Sequence, residues 1–452
     1  MKNIIIGSGP AGRLAGIELG KLGKEAILIE KKYIAGNCLN EGCMVICALN
    51  DIARFLNSKK RFENLGLMKG KIEIDYAEIV TKIKETQEFI RQIHQKENES
   101  LNNTIIYGEA IVEEDMVKVN GESFEYDKLL IATGSKPIIP NIKGNKYGLT
   151  SKDILKIDKI PENLNILGGG AIGIEIANIF SSFGSNVNII SRNSILKGID
   201  ENLVKFTREN LLKYVNIYEN QNTVEIKKDK LITETDEFIG TTLIATGRSP
   251  NSEIVKDIVD LDDKKAIKVN KLMQSSKQNI YAAGDVTGGV NLTTIARKEG
   301  ITAARNMAGF TSAMEYNKIP QGITLDMDLS YITKNNIKSN FNDKNITTNP
   351  NKNTNKNDQS KEILNEITIP GSGGPGSFWR ALTRDTGLSK IKYNENTKEI
   401  EELYSISPSS ISDISYLSYL IDNVNLEDFS EEFLDIHPST NVFQEIFALL
   451  RL

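Results

Sequence analysis

The 452-residue sequence predicts an α/β chain with two parallel-sheet nucleotide-binding units, closing on an α+β segment. Two observations predict it. A strand, glycine turn, helix and strand occur in that order at the N-terminus and again near residue 165, and one strand segment is also written twice. A chain of this length exceeds a single core, so about three domains of roughly 100–200 residues are expected.

The first unit reads IIIGSGPAGRLAGIELGKLGKEAILIE. An apolar strand runs into Gly7, Gly9 and Gly12, a helix-length stretch begins at Pro10 and Ala11, and a second strand closes on Glu30. Glycines at such a turn let the backbone approach a pyrophosphate, the helix N-terminus offers it free N–H groups, and the terminal carboxylate accepts ribose hydroxyls. An ordinary tight turn also leaves a glycine pattern. The flanking strands and the acid 23 residues after Gly7 make this one specific.

The second unit reads NILGGGAIGIEIANIFSSFGSNVNIIS, with Gly168, Gly170 and Gly173 at the same spacing, Ala171 and Ile172 opening its helix, and a strand over 187–190. Two dinucleotides are therefore implied, on two Rossmann-like units. Where the first copy has Glu30 the second has Ser191, followed by Arg192 and, nearby, Lys197. A carboxylate there repels a 2′-phosphate, whereas a hydroxyl beside a guanidinium binds one, so NADP is expected, with NAD left open. The competing reading of Arg192 and Lys197 is solvated surface charge.

LLIATGSKP at 129–137 matches TLIATGRSP at 242–250. Each reads as a buried strand that returns the chain to its own unit. Ala132, Thr133 and Gly134, like Ala245, Thr246 and Gly247, would then pass close to a bound cofactor.

The three cysteines, Cys38, Cys43 and Cys47, are too few and too clustered to staple this chain, which argues for chemistry; with no fourth ligand nearby, no metal is expected. On a regular helix, positions i and i+5 diverge by roughly 140°, so pairing Cys38 with Cys43 needs a distorted opening turn. Helix N-terminal N–H groups there also favour a thiolate. The net charge of -5, with both signs interspersed, gives no broad basic face for nucleic acid or an anionic membrane. No apolar run reaches the ~20 residues of a membrane span, and the chain enters its first strand without a leader, so a soluble, cytoplasmic protein is expected.

Taken together, GSGPAG with Glu30, GNCLNEGC, both ATG strands, GGGAIGIE, IYAAGDVTG and a late His437-Pro438-Ser439 resemble the class I pyridine nucleotide-disulfide oxidoreductases, nearest to dihydrolipoamide dehydrogenase and glutathione reductase. The resemblance runs nearly end to end. It implies FAD on the first unit, where Lys31, Gly36, Asn37 and Gly284 join the binding set and Asp285 holds the ribityl chain. It implies a pyridine nucleotide on the second unit and a Cys38–Cys43 redox disulfide. Cys38 would be the interchange thiol, Cys43 the thiol against the flavin, and His437 an acid/base that crosses from the other subunit of a homodimer. Electrons would pass between NAD(P)H, FAD, the disulfide and a small dithiol or disulfide substrate. The alternatives are an NADPH-dependent reductase of another low-molecular-weight disulfide, or a flavin oxidase or quinone reductase with repurposed thiols. The implied domains are an FAD domain at 1–145, an NAD(P) domain at 146–270, a second FAD part at 271–315, and an α+β dimerisation domain at 316–452.

Three departures stand out. Cys47 occupies the place of the family's lysine, as a third redox thiol or a small buried filler. That leaves Glu175, the usual partner of the lysine, without a cation and with a raised pKa. Val442 stands where a glutamate normally orients the histidine, and Glu445 lies three residues further on. The Asn- and Lys-rich stretch 338–361 is expected to be a mobile surface loop. The glycine-rich 371–376 that follows has no assigned function, and Trp379 is read as core or interface. In the C-terminal part, ISDISYLSYLIDN and TNVFQEIFALL read as helices. His94 follows an apolar helical face and is expected to face solvent without a role.

Overall fold

The computed structural model describes residues 2–316, 318–333, 364–371, 377–397, 399–423 and 443. His437, Val442, Glu445, the 338–361 stretch, residues 372–376 and nearly all of the final predicted helix lie outside the described residues.

Both glycine units fold as parallel α/β layers. In the first, β1 (Asn3–Ile6) leads through α1 (Pro10–Lys21) to β2 (Ala26–Glu30). The chain continues through α2 (Gly36–Asn40), α3 (Cys43–Asn64) and α4 (Tyr76–Glu99) to β3 (Thr104–Tyr107). The strands Lys128–Ile131 and Ile280–Ala282 complete a five-stranded parallel sheet on the other side of β1. A sheet covered on both faces needs near-continuous apolar strands. Ile5, Leu28 and Leu130 pack with Ala11 and Ala15 on the face toward α1, and Ile4, Ile6, Ile29 and Ile131 fill the other face.

The second unit repeats this plan. Asn163–Leu167 leads through α5 (Ala171–Ser182) to Asn186–Ile190, with Val215–Tyr218 on one side and Thr241–Ile244 and Leu149–Thr150 on the other, all parallel. The duplication extends to atomic contacts. Gly7 and Gly168 have φ of +95° and +124°, and a Cβ on either would fall 2.4 Å from the carbonyl oxygen of Ala132 or Ala245. A Cβ on Gly12 or Gly173 would fall 1.9 or 2.2 Å from the carbonyl oxygen of Gly7 or Gly168. Each ATG strand therefore returns to its own unit, as its sequence indicates. The residues just beyond do something the sequence did not reveal: Ser135–Pro137 pairs antiparallel with Arg248–Pro250, tying the two units together.

Asp200 caps α6 (Glu201–Phe206) in the second unit, accepting from the Asn202 amide at 3.0 Å. α7 (Thr293–Met307) lies along α1 so closely that a Cβ on Gly300 would fall 2.2 Å from the Ala11 carbonyl oxygen. The C-terminal part is an antiparallel five-stranded sheet in the order Gln321–Ile323, Asp328–Thr333, Ile400–Ser407, Leu388–Asn394, Leu364–Pro370. α8 (Phe378–Thr383) carries Trp379, half-exposed and edge-on to Phe378. α9 (Ser410–Asn423), the helix expected from ISDISYLSYLIDN, packs Ile414 and Leu417 on Ile332, Ile391 and Leu403. Buried Lys390 joins this sheet to the second unit through Asp200 at 2.9 Å. No helix among the described residues is long and apolar enough to cross a membrane.

Because Gly173 sits against backbone, Gly173→Ala is expected to destabilise the protein by about 1–3 kcal/mol, as overpacking does. A urea unfolding midpoint equal to that of the parent would show that the helix–strand contact at Gly173 accommodates a methyl group.

Candidate functional site

A cavity of about 1560 Å³ opens between the two units. It exceeds the roughly 300–1,000 Å³ that houses one small ligand, as two neighbouring dinucleotides require. From the first unit its wall includes Gly7, Gly9, Pro10, Ala11, Glu30, Lys31, Gly36, Asn37, Ala132, Thr133, Gly134, Gly284 and Asp285. From the second come Gly168, Gly170, Ala171, Ile172, Glu175, Ser191, Arg192, Lys197, Ala245, Thr246 and Gly247. Gly12 and Gly173 correct the sequence expectation. They do not reach the wall, because each lies under its helix and permits the helix–strand contact described above.

The cavity suits dinucleotides on physical grounds. A Cβ on Gly170 would project into open space, and one on Gly9 would meet nothing nearer than the Gly36 Cα at 3.9 Å. Each glycine precedes the first turn of a helix, whose leading N–H groups have no intrahelical acceptor. The Glu30 carboxylate is held at the end of β2 by the Ser8 amide at 2.9 Å, the Ser8 hydroxyl at 2.7 Å and the Lys32 amide at 2.8 Å. Ser191 ends the corresponding strand of the second unit and is buried, while Arg192 and Lys197 are exposed beside it and make no ion pair among the described residues.

Asp285 accepts from the Ser135 hydroxyl at 2.5 Å, and Arg248 donates to that hydroxyl at 2.7 Å and to the Ser135 carbonyl at 2.8 Å. Ser135 and Arg248 escaped the sequence reading. Their only signal was the repeated segment itself, which did not disclose that its two copies would pair.

Cys38 and Cys43 line the same cavity as free thiols. Their meeting depends on a helix break. α2 stops at Asn40, Glu41 and Gly42 leave helical geometry, and α3 starts afresh at Cys43. The carbonyls exposed by the break are satisfied from α4, where the buried Gln87 amide donates to Leu39 at 2.9 Å and to Asn40 at 3.2 Å. Asn37 anchors the other end, donating to the Ser135 carbonyl at 2.9 Å. The Thr293 hydroxyl lies 3.3 Å from the Cys38 sulfur and 3.8 Å from that of Cys43. Thr293 is some 250 residues away in sequence, so no local pattern could have flagged it.

The two thiols are electrostatically unequal. A hydrogen bond from Cys43 pulls the Cys38 pKa down to about 6, against the effect of burial and with help from Thr293 and the Arg297 charge. The same hydrogen bond pushes the Cys43 pKa upward. Cys38 is therefore the thiolate at neutral pH. Cys47, one turn beyond Cys43, opens on the cavity and is not a buried filler. Partial desolvation within the cavity wall, together with the nearby Cys43 and Glu175, raises its pKa and keeps it a neutral thiol.

Glu175 behaves as expected for a carboxylate without a cation. Its carboxylate accepts from the Thr324 amide at 3.0 Å, and burial raises its pKa to about 7. His94 does not face solvent. It is half-buried, with Nδ1 3.4 Å from the Glu97 carboxylate, because the helical turn carries it toward α1.

The family described as pyridine nucleotide-disulphide oxidoreductase matches residues 1–300. A dihydrolipoyl dehydrogenase of Acholeplasma laidlawii is 32% identical over 67% of this chain and 95% of its own length. An uncharacterized protein of Methanocaldococcus jannaschii is 29% identical over 99% of this chain and 98% of its own. Among solved structures, the HOCl-induced flavoprotein disulfide reductase RclA from Escherichia coli has the same fold, with a TM-score of 0.83, 21% identity, and coverage of 99% of this chain and 100% of that one.

In the reduced protein, the rate of iodoacetamide alkylation at Cys38 is expected to rise with a midpoint near pH 6 and level off above it. A midpoint near the ordinary thiol value of about 8.5 would remove the activated thiolate.

Proposed function

We propose a function from one premise: this chain belongs to the pyridine nucleotide-disulphide oxidoreductase family and is an FAD-dependent oxidoreductase. Its redox centre is the Cys38–Cys43 pair, and its substrate is a low-molecular-weight disulfide, reduced at the expense of NADPH. The oxidation of a dithiol, the reaction in the name of its dihydrolipoyl dehydrogenase relatives, is the same chemistry in reverse. One observation carries this reading: the dithiol lies in the wall of the cavity shared by both glycine turns, with one sulfur ionised and the other protonated.

FAD, when bound, supplies the two-electron relay between the nicotinamide and the sulfur pair. The Gly7–Gly9 turn with the start of α1 would hold its pyrophosphate, Glu30 its ribose, and Asp285, fixed by Ser135, its ribityl chain. The Gly168–Gly170 turn would hold the nicotinamide dinucleotide in the same way. Ser191, Arg192 and Lys197 would bind its 2′-phosphate.

The protein's own sulfur chemistry follows. The Cys38 thiolate attacks one sulfur of the substrate, its S–S bond breaks, and the first product leaves as a thiol after taking a proton. Cys43, once it gives up its proton, attacks Cys38 in the mixed disulfide. The second product thiol departs, and the Cys38–Cys43 disulfide remains. One thiolate and one thiol are oxidised as one disulfide becomes two thiols, and the proton from Cys43 with one more from solvent completes the balance. Thr293, within reach of both sulfurs, supports the exchanging thiolate at each stage. By the family resemblance, His437 of a homodimer would carry the proton to the leaving thiol. The FAD domain would comprise 1–145 and 271–315, the NAD(P) domain 146–270, and the dimerisation domain 316–452.

Anaerobic titration with NADPH tests the pair directly. The parent should take up two electrons more than Cys43→Ser, the capacity of one disulfide. Equal uptake would point to a flavin oxidase or quinone reductase with idle thiols. Cys38→Ser should reduce disulfide turnover to background while the protein stays yellow.

For the nucleotide, Arg192→Ala is expected to lower kcat/KM for NADPH by roughly tenfold or more, the worth of a charge-assisted hydrogen bond, while sparing that for NADH. A parent that prefers NADH would overturn the assignment of Ser191 and Arg192.

A further inference from the structure

Cys38 has a second flank that the sulfur exchange above does not use. Arg297 follows Thr293 by four residues on α7, so the two share a helix face, and Thr293 already touches the Cys38 sulfur at 3.3 Å. Arg297 is exposed, does not line the dinucleotide cavity, and makes no ion pair or hydrogen bond among the described residues. Its charge nevertheless acts on Cys38, Arg13 and His94, so these groups converge from α1, α4 and α7.

Arg13 is buried directly behind the first glycine turn, and its guanidinium pairs with Glu97 at 2.5 Å. Glu97 also faces His94 Nδ1 at 3.4 Å, while burial lowers the His94 pKa and keeps the ring neutral. Glu97 thus offsets the buried Arg13, while Arg297 has no acidic side chain paired with it among the described residues. That guanidinium is exposed, one helical turn from the Thr293 hydroxyl that touches the Cys38 sulfur, and outside the lining of the dinucleotide cavity. A planar fork of donors suits carboxylate, sulfonate or phosphate oxygens.

We infer that Arg297, backed by Arg13, makes this protein selective for low-molecular-weight disulfides that carry a negative charge, by holding the anionic group beside Cys38. The inference rests on Cys38 being the exchanging thiol.

The test uses the flavin-loaded, full-length enzyme and three disulfides of similar skeleton: those of mercaptoacetate (anionic), mercaptoethanol (neutral) and cysteamine (cationic). The parent should show the highest kcat/KM with the anionic disulfide. Arg297→Gln should lower the anionic-to-neutral ratio by roughly tenfold to a hundredfold, the range for a lost charge-assisted hydrogen bond. Taking the ratio cancels whatever the charge does to the ionisation of Cys38 itself. Arg297→Glu should shift preference toward the cationic disulfide. Arg305→Gln, two turns further along α7 and paired with Glu18, should leave the ratio where it was.

A second readout needs no turnover. In the reduced protein, Cys38 alkylation by iodoacetate relative to iodoacetamide, followed by peptide mass, should fall in Arg297→Gln. No charge preference in the parent, or ratios that Arg297→Gln does not move, would overturn the inference. If none of the three disulfides were reduced, the disulfide reductase reading would fail, and the alkylation ratio would still decide whether Arg297 selects anions at Cys38.

Discussion

Two sulfurs five residues apart cannot share one side of a regular helix, since that spacing turns them roughly 140° from each other. The chain meets this constraint by ending α2 at Asn40 and nucleating α3 at Cys43. Stopping a helix leaves carbonyls without partners, and buried Gln87 from α4 supplies donors for two of them. Gly42 closes the break tightly, since a Cβ there would fall 3.0 Å from the Asn37 carbonyl oxygen. Thiol contact, the unequal ionisation of the pair and its exposure to the cavity all depend on this interruption.

The remaining architecture delivers partners to that break from distant parts of the chain. The paired segments after the two ATG strands bring Ser135 and Arg248 together with Asp285. Close packing of α7 on α1 places Thr293 against both sulfurs, with Arg297 one turn further along the same helix face. Gly300 permits that approach, because any side chain there would strike the Ala11 backbone.

With Cys47 where the resemblance implies a lysine, no cation among the described residues acts on Glu175, and burial raises the pKa of this carboxyl to about 7. The cation whose charge acts on Cys38 is Arg297, and Arg13 in turn feels both Cys38 and Arg297. The hydrogen bond from Cys43 makes Cys38 the thiolate, with Thr293 and the Arg297 charge assisting; the same bond and burial keep Cys43 protonated, and desolvation with the nearby Cys43 and Glu175 keeps Cys47 so.

Spacing along the sequence alone determined the two βαβ units, with Glu30 and Ser191 at equivalent strand ends, and the return of each ATG strand to its own sheet. These features are encoded locally, by strand periodicity and by glycines that only a close backbone approach requires. The need for a distorted turn between Cys38 and Cys43 was equally legible, because helix geometry forbids the alternative. Tertiary structure alone decided that Gly12 and Gly173 serve packing, that Cys47 opens on the cavity, that His94 turns inward, and that Thr293, Ser135, Arg248 and Arg297 join the site. Side chains from separate elements meet only when sheet order and helix packing are set. Those depend on contacts across hundreds of residues, which no local pattern records.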